Sequence, residues 1–443
     1  MGTNRAPLAA VLVAGLLGEF AFALLLLPLI QHYLVFDRHM PAGLPGYALS
    51  AYGLTRLVAQ LPLGMLADAI DRRLAVAAGY FVVLLCGLAL WAPMPALFVL
   101  VAAAGFGLGH ALADPLIPAA LTEAVEPHER GRAFGLLNLT QVAGLVSGLA
   151  GGAFLADLAP ASLGFLVVAG CNGATLLLLS FGAAPLLAEH QYSGAGRAQR
   201  MWRSLVDERV IDLLAVLFVL TFAINIVMPD LSLYAVRQLH TSLHVVTLYL
   251  VPAAIVAIVT LPIGGWLADR YGHVPSLMAG AAVAALALIS FVFIRQPWEA
   301  AIAASFGGIG IALTMPSSNA LLMDVANPEH RALLLSGMMA VQGLGEAVGP
   351  FVGGLMTQAG GVVWPFVAAG FALWLAVPGA VFFASEPHAG DSNPVVTFTP
   401  FTRLVSRAHI RMYAWLAARH QRSASEPMTT AEAAVVSSSD QKK

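Results

Sequence analysis

The chain has 443 residues, of which 59% are hydrophobic and 10% are charged, and its formal net charge at pH 7 is −2. A soluble domain carries about 25% charged residues, so this composition, with a mean hydropathy of +0.81, predicts a protein that crosses a membrane many times. The small net charge gives no sign of nucleic-acid binding. Cys86 and Cys171 fall inside apolar segments, and we expect both to be free thiols.

Apolar runs long enough to span a bilayer follow one another along the chain. A hydrocarbon core of about 30 Å needs about 20 apolar residues in a helix. Twelve such runs are predicted at residues 9–30, 46–67, 74–92, 96–121, 133–156, 162–187, 211–235, 244–268, 275–294, 299–323, 332–357 and 362–384. The first run is long enough to span, so we interpret it as a helix and not as a cleaved leader. The predicted fold class is an all-α membrane protein.

The arginine distribution predicts the orientation of these helices. With the N-terminus inside the cell, eleven arginines before the C-terminal tail are cytoplasmic and three are outside, which satisfies the positive-inside rule. The prediction is a multi-pass protein of the cell (inner) membrane with both termini in the cytoplasm. The cytoplasmic arginines are Arg5, Arg72, Arg73, Arg130, Arg132, Arg197, Arg200, Arg203, Arg209, Arg270 and Arg331, and the outer ones are Arg38, Arg237 and Arg295.

The order of apolar and polar segments predicts four parts. Residues 1–187 form an N-terminal six-helix bundle, 188–209 a polar, arginine-rich cytoplasmic linker, 210–385 a C-terminal six-helix bundle and 386–443 a cytoplasmic tail. Within the tail, residues 400–421 have the pattern of a basic amphipathic helix on the membrane surface. A partly helical, solvated tail is the alternative, and the segment after it is predicted to be disordered.

A constant offset of 201 residues maps the first half of the chain onto the second. Because each half holds an even number of helices, both have the same orientation, which defines a parallel repeat about an axis along the membrane normal. Two such bundles can rock about a site between them, so the repeat predicts alternating access. The matches are Pro28 with Pro229, Tyr33 with Tyr234, Gly64 with Gly265, Asp68 with Asp269, Gly107 with Gly308, Gly109 with Gly310, Pro115 with Pro316, Glu123 with Asp324, Pro127 with Pro328, Arg130 with Arg331, Gln141 with Gln342, and Gly144, Gly148 and Gly152 with Gly345, Gly349 and Gly353.

Two copies of one loop motif resemble the major facilitator superfamily over about residues 8–385. The family's loop between helices 2 and 3 is roughly G-x-L-A-D-x-x-G-R-R, and the chain has GMLADAIDRR at Gly64–Arg73 and GWLADRYGHV at Gly265–Val274. The first copy has Asp71 where glycine is usual, and the second lacks the basic pair. The resemblance implies two six-helix bundles and a cytoplasmic gate network, whereas loop charge that only sets topology is the alternative. The implied gate residues are Gly64, Asp68, Arg72, Arg73, Glu123, Arg130, Asp269, Arg270, Asp324 and Arg331.

Glycines spaced four apart mark one face of helix 5 (144–152) and of helix 11 (345–353). Small residues at this spacing let helix backbones approach closely, so each stripe is either a tight packing face or a bending point for the rocking motion. The string GEAVGPFVGG at 345–354 resembles the signature that drug–proton antiporters carry on helix 5, although here it lies on helix 11.

Five ionisable residues, Glu19, Arg56, His110, Asp114 and Glu346, are predicted near mid-depth on helices 1, 2, 4 and 11, where charges cost about 2.5–3.5 kcal/mol each. We interpret Glu19 and Asp114 as proton or cation sites, Arg56 as their countercharge and His110 as a tuning or relay group. Burial favours the neutral carboxyl and a nearby arginine favours the carboxylate, so an acid between these influences can change protonation. The alternative is a static buried ion pair, with His110 as a packing residue and Asp114 bonded to backbone near Pro115.

The superfamily's proton antiporters usually carry an arginine in helix 4, four residues before a glycine, but Ala103 occupies that position. A mostly apolar cavity with a few acids predicts a lipophilic, neutral or cationic small-molecule substrate. The predicted cavity residues are Phe20, Tyr52, Phe106, Phe222, Asn225, Tyr249, Thr314, Ser318, Gln342 and Glu346.

The sequence therefore predicts a twelve-helix secondary transporter, a monomer that exports a lipophilic compound in exchange for protons. A proton-coupled importer of a small metabolite and a lipid flippase are the alternatives. No phosphate-binding loop, metal-ligand set or Ser-His-Asp constellation is evident, so we expect no ATP drive, cofactor, metal or enzymatic activity.

Overall fold

The computed structural model describes residues 5–67, 71–92, 95–118, 121, 125, 130–187, 208–325 and 331–384. The chain divides into a compact unit, Met1–Ala380, and a second unit, Val381–Lys443. The predicted tail and residues 188–207 of the predicted linker lie outside the described ranges, so the four-part division remains a prediction.

Twelve long helices account for most of the described ranges, and no strand occurs in them, which confirms the predicted all-α class. The helices are α1 (Arg5–Leu24), α2 (Leu44–Ala67), α3 (Arg72–Trp91), α4 (Ala96–Ala113), α5 (Arg130–Leu158), α6 (Ala161–Leu177), α7 (Glu208–Val227), α8 (Leu243–Tyr271), α9 (His273–Ser290), α10 (Pro297–Val325), α11 (Arg331–Gly360) and α12 (Trp364–Ala384). Within the described ranges, nine spans are both long and apolar enough to cross a membrane.

Helices α1 and α7 are interrupted at equivalent prolines and continue past them. After Leu24, α1 passes through a π-helical turn that contains Pro28, and it stays helical as far as Asp37. After Val227, α7 passes through a 3₁₀ turn that contains Pro229 and continues to Arg237. Proline lacks the N–H that an α-helix needs, so both helices change their winding at that point. The predicted end of helix 1 at residue 30 is therefore too early, because hydropathy detects only the apolar part of the helix.

Helix α4 is shorter than its predicted run, 96–121. It ends at Ala113, turns at Asp114 and Pro115, and becomes helical again at 116–118. Asp114 keeps helical dihedrals, φ −60° and ψ −40°. The interruption is therefore explained by Pro115 itself, which has no N–H to continue the helical hydrogen bonds.

The packing of the helices repeats with the sequence. The pairs α1–α5, α2–α4 and α3–α4 in the first half recur as α7–α11, α8–α10 and α9–α10 in the second. Individual contacts obey the same offset: a Cβ on Gly107 would meet the backbone of α2 at Tyr52 and Arg56. The equivalent contact in the second half is Gly308 against Ala253 and Ala257. These matching contacts support the parallel pseudo-two-fold repeat of the predicted fold.

The turns repeat as well, with one informative exception. His39 and His240, 201 residues apart, are both non-glycine residues with positive φ, 52° and 49°. At the α2–α3 connection, Asp71 accepts a 2.8 Å hydrogen bond from the Arg73 backbone N–H and so caps α3. The equivalent Gly272 instead turns through φ 98° between α8 and α9. Side-chain capping thus replaces a positive-φ glycine in the first copy of the motif.

Candidate functional site

We call the end of the bundle that carries the α1–α2, α5–α6, α7–α8 and α11–α12 connections the outer end, because the arginine distribution predicts that it faces away from the cytoplasm. The opposite end is the inner end.

The four predicted coupling residues line one cavity. Glu19 of α1, Arg56 of α2, His110 of α4 and Asp114 just after α4 all face a space of about 540 Å³, a volume that includes space open to solvent. The structure therefore brings together side chains that are distant in sequence. The remaining lining residues are Gly15, Gly18, Phe22, Tyr52, Tyr80, Ile117, Pro118, Leu137 and Gln141.

Arg56 is shared between two carboxylates from different halves of the chain. Its Nη2 lies 3.4 Å from Asp114 Oδ2, and its Nη1 lies 3.3 Å from Glu346 Oε2 on α11. The side chains of Arg56, Asp114 and Glu346 are 29%, 35% and 36% exposed, so water reaches all three. Glu19 is close enough to interact electrostatically with each of them. One cation thus balances three acids and connects the first half of the chain to the second.

The Asp114 carboxylate contacts the side chain of Arg56. The N–H of Asp114 bonds to the His110 carbonyl in the usual helical manner, while its side chain reaches Arg56. The packing interpretation, in which the acid only satisfies backbone groups beside Pro115, is therefore incomplete.

His110 lies in an aromatic surround. Its Nδ1 is 3.1 Å from the hydroxyl of Tyr52, and its side chain is buried. The rings of Phe22, Tyr80 and Phe106 lie 6.1–6.3 Å from the imidazole. The described hydrogen bond of the ring is therefore to Tyr52 and not to Asp114.

Glycines place these helices at the right distance. Because Gly107 has no side chain, α4 approaches the α2 backbone beside Arg56. On the other side of the cavity, Gly144 of α5 lies against the Leu16 carbonyl and Glu19 Cβ of α1. A methyl group at either position would collide with a neighbouring backbone, so both glycines are required by close approach.

A second space of about 360 Å³ lies between α2 and α11, on the inner side of the ion pair. It shares Arg56 and Glu346 with the first and adds Gln60 and Gln342. Of the predicted cavity residues, Tyr52, Gln342 and Glu346 therefore line the two spaces.

The other predicted cavity residues have different environments. Phe106 is fully buried in the core. Asn225, Thr314 and Ser318 bond to carbonyls of their own helices. Phe20 packs against the α5 glycines and Phe222 stacks on Phe218, whereas the side chain of Tyr249 lies outside the described part of the structure.

Six of the ten predicted gate residues lie outside the described side chains. This applies to Gly64, Asp68, Glu123, Arg130, Asp324 and Arg331. Among the described members, Arg72 is buried, Arg73 lies over the ring of Phe181 at 5.8 Å, and Asp269 is exposed. Arg270 lies over its own-helix neighbours Trp266 and Tyr271. The gate therefore remains a prediction.

Tyr80, Phe22 and Gln141 are among the lining residues that were not predicted for the cavity from the sequence. Tyr80 and Phe22 line the cavity from α3 and α1, and their sequence neighbourhoods carry no distinguishing pattern. Gln141 also lines it, and a signal was present, because it matches Gln342 in the repeat. A polar residue type repeated at the 201-residue offset, Gln141 and Gln342, was thus a usable marker for both cavity positions.

A repeated all-helical bundle with a charged cavity in its first half, joined to the second half through Arg56 and Glu346, is typical of the class of multi-pass membrane transporters. The sequence profile of the Major Facilitator Superfamily matches residues 11–297 and 213–425. The chain belongs to this superfamily.

Curated relatives match only part of the chain. Multidrug resistance protein 1 of Bacillus subtilis (strain 168) is 27% identical over 181 residues, which are 41% of this chain and 46% of that protein. Multidrug resistance protein MdtH of Yersinia pestis (strain Pestoides F) is 27% identical over 260 residues, 57% of this chain and 63% of that protein. The chain thus spans less than two thirds of the length of these relatives.

Solved structures resemble the whole bundle. The crystal structure of a bacterial homolog to the human lysosomal transporter Spinster, inward-facing and unoccupied, has a TM-score of 0.70 at 14% identity, covering 87% of this chain and 97% of that one. A D-xylose–proton symporter has a TM-score of 0.67 at 16% identity, covering 85% and 96%. At these identities the likeness shows the fold alone.

Proposed function

We propose that the protein is a secondary active transporter that works by alternating access and exports a lipophilic neutral or cationic small molecule in exchange for protons. The observation that carries this proposal is the position of Arg56, which lies between Asp114 of its own half and Glu346 of the other half, with Glu19 beside them. In this proposal Arg56 supplies, from α2, the cation that antiporters of the superfamily usually carry in helix 4.

Sharing of one arginine among three acids provides a physical route to coupling. An acid is stabilised as a carboxylate while Arg56 contacts it, and it favours the neutral form when it is left without a cation in a dehydrated cavity. Movement of α11 relative to α2 changes the distance between Arg56 and Glu346. The remaining contact of Arg56 with Asp114, and its influence on Glu19, then change as well. Proton binding and helix movement are linked through the same side chain.

The cavity chemistry supports a cationic or neutral substrate. When all are ionised, three carboxylates outnumber the single arginine, which favours a cation and disfavours an anion. Phe22, Tyr52 and Tyr80 add aromatic faces, which attract organic cations and apolar groups. The names of the bacterial relatives, both multidrug resistance proteins, agree with a lipophilic substrate.

We further propose that the transporter is a monomer of the cell (inner) membrane with both termini in the cytoplasm. The helices that surround the described cavity all come from one chain, so a single copy supplies the proposed site.

Proteoliposomes that contain the purified protein and a trapped pH indicator test this function. With ethidium as a lipophilic cation, the proposal predicts that ethidium and protons move in opposite directions, and that an imposed pH gradient drives ethidium uphill. Glu19→Gln and Asp114→Asn should each reduce the number of protons moved per ethidium. Co-directional movement would instead indicate a symporter, and movement of a fluorescent lipid between leaflets without ethidium flux would indicate a flippase. A proton-to-ethidium ratio unchanged in both variants would refute the proposed roles.

A further inference from the structure

The two halves of the chain meet along two seams, α2 against α11 and α5 against α8. At the outer end of the first seam, the Tyr47 hydroxyl donates a 3.1 Å hydrogen bond to Gln358 Oε1. At the outer end of the second, His244 of α8 contacts Asp157 of α5. Asp157 and Gln358 are 201 residues apart, so the repeat places a polar side chain at the same point of each seam.

One carboxylate oxygen of Asp157 contacts two nitrogen atoms of His244. Asp157 Oδ2 accepts a 2.7 Å hydrogen bond from the His244 backbone N–H and lies 2.8 Å from the imidazole Nδ1. His244 is the second residue of α8, where the helix has no internal acceptor for its N–H groups. The preceding Ser242 makes no side-chain capping bond. Asp157 therefore caps α8 from the opposite half of the chain, and a carboxylate at this position also interacts favourably with the helix dipole.

Aromatic packing supports both contacts. Phe154, one turn before Asp157 on α5, lies 5.5 Å from the His244 ring. On the other seam, Phe351 of α11 lies 5.3 Å from the Tyr47 ring. Each seam thus combines a ring from α2 or α8, an aromatic neighbour from α11 or α5, and a polar contact between side chains. The two bonds differ in kind, because only the second involves a carboxylate, which is 14% exposed. Hydrogen bonds to an ionised group are roughly twice as strong as neutral ones.

We propose that Asp157 and His244 are positioning residues for the transport cycle, forming a clasp that holds the outer end of the α5–α8 seam closed and must break before the cavity opens outward. This inference rests on the proposed alternating access, but not on proton coupling. The α5–α8 clasp is the stronger of the two outer contacts. Its opening therefore sets the balance between the closed and open outer seam more than the neutral Tyr47–Gln358 contact does.

Spin labels across the seam measure this balance directly. Cys86 and Cys171 are replaced with alanine, and labels are attached through Leu158→Cys on α5 and Ser242→Cys at the start of α8 in the full chain in nanodiscs. Pulsed electron–electron double resonance then gives the distribution of distances between the two labels. In Asp157→Ala, we expect the ratio of long to short distances to rise about tenfold, the effect of losing one charge-assisted hydrogen bond. Asp157→Asn keeps an acceptor for the His244 N–H and should give an intermediate ratio.

A matched control distinguishes the clasp from a general effect of outer-end charge. His32 and Asp37 form another histidine–aspartate contact at the outer end, at 3.6 Å, but both belong to the extended α1 and cross no seam. Asp37→Asn should leave the distance distribution unchanged. An unchanged distribution in Asp157→Ala, or an equal shift in Asp37→Asn, would overturn the proposal.

Transport kinetics separate the clasp from a merely structural contact. Asp157→Ala should lower the KM for ethidium offered at the outer face, because the outward-open form becomes more populated, while the number of protons per ethidium stays at the wild-type value. A loss of protein at purification with no change of KM would mark a folding residue and refute the clasp. If the proposed proton coupling itself fails, wild-type protein shows no linked proton flux, whereas the distance measurement still decides the clasp.

Discussion

Glu346→Gln removes the ion pair that joins the two halves of the chain at mid-depth. Arg56 and Glu346 lie 3.3 Å apart on α2 and α11. At an effective dielectric constant of about 20, two unit charges at this distance attract each other by about 5 kcal/mol. Both side chains are roughly one third exposed. Ion pairs between exposed side chains contribute about 0–1 kcal/mol to stability. A pair between these limits contributes about 1–2 kcal/mol, or roughly a 5- to 30-fold change in a conformational ratio.

The assay places spin labels on α2 and α11 in a background without native cysteines. Leu54 lies near the middle of α2 and Leu355 near the outer end of α11, and both are exposed, so Leu54→Cys and Leu355→Cys report the separation of the seam. Glu346→Gln should raise the ratio of long to short label distances roughly 5- to 30-fold. Distances identical to those of the parent would refute the conclusion that this pair holds the halves together.

Asp114→Asn is the matched control, because it removes the other partner of the same arginine. The Arg56–Asp114 contact joins α2 to the end of α4 within one half. Its loss leaves Arg56 to Glu346 alone, so the α2–α11 distances should shorten and not lengthen. An equal lengthening in both variants would show that Arg56 acts through general stability and not through the contact between halves.

Three further predictions test how the site and the helices around it are built. Gly148→Ala should lower the unfolding temperature in detergent, since its Cβ would collide with the Phe20 carbonyl and overpacking costs about 1–3 kcal/mol; Gly170→Ala, which meets open space, should not. Tyr52→Phe should destabilise by about 1–3 kcal/mol because it leaves the buried His110 ring without its described partner, and combining it with His110→Phe should cost less than the sum of the two single changes. Asp71→Ala should destabilise by about 1 kcal/mol through loss of the α3 cap, and Asp71→Asn should restore most of that stability.

Much of the fold followed from one numerical pattern in the sequence. The 201-residue offset anticipated the paired packing of the halves, down to Gly107 and Gly308 on their partner helices. Hydropathy placed the helices but not their interruptions, because a proline inside an apolar run does not change its hydropathy. Helix α4 was therefore predicted to continue past Asp114, where the chain turns.

The sequence predicted which residues belong to the candidate site better than it predicted which of them contact each other. Charged residues at mid-depth are costly, so Glu19, Arg56 and Asp114 were identifiable one by one. Glu346 was identified at mid-depth on helix 11 and assigned to the cavity, but its contact with Arg56 was not predicted, because that contact depends on how α2 meets α11 and no local pattern encodes the pairing. The Asp157–His244 contact was missed for the same reason, since each residue lies at a helix end, where a charged or polar side chain is ordinary.

The central claim is that acids around Arg56, beside the junction of two repeated halves, couple protons to substrate movement. It is tested most directly by comparing two modes of ethidium transport for Asp114→Asn in proteoliposomes. In exchange at equal pH on both sides, the account predicts a rate close to that of wild type, because binding and the movement of the halves are retained. With an imposed pH gradient, it predicts that uphill accumulation of ethidium is lost. Accumulation at the wild-type level in this variant, and equally in Glu19→Gln, would contradict the account.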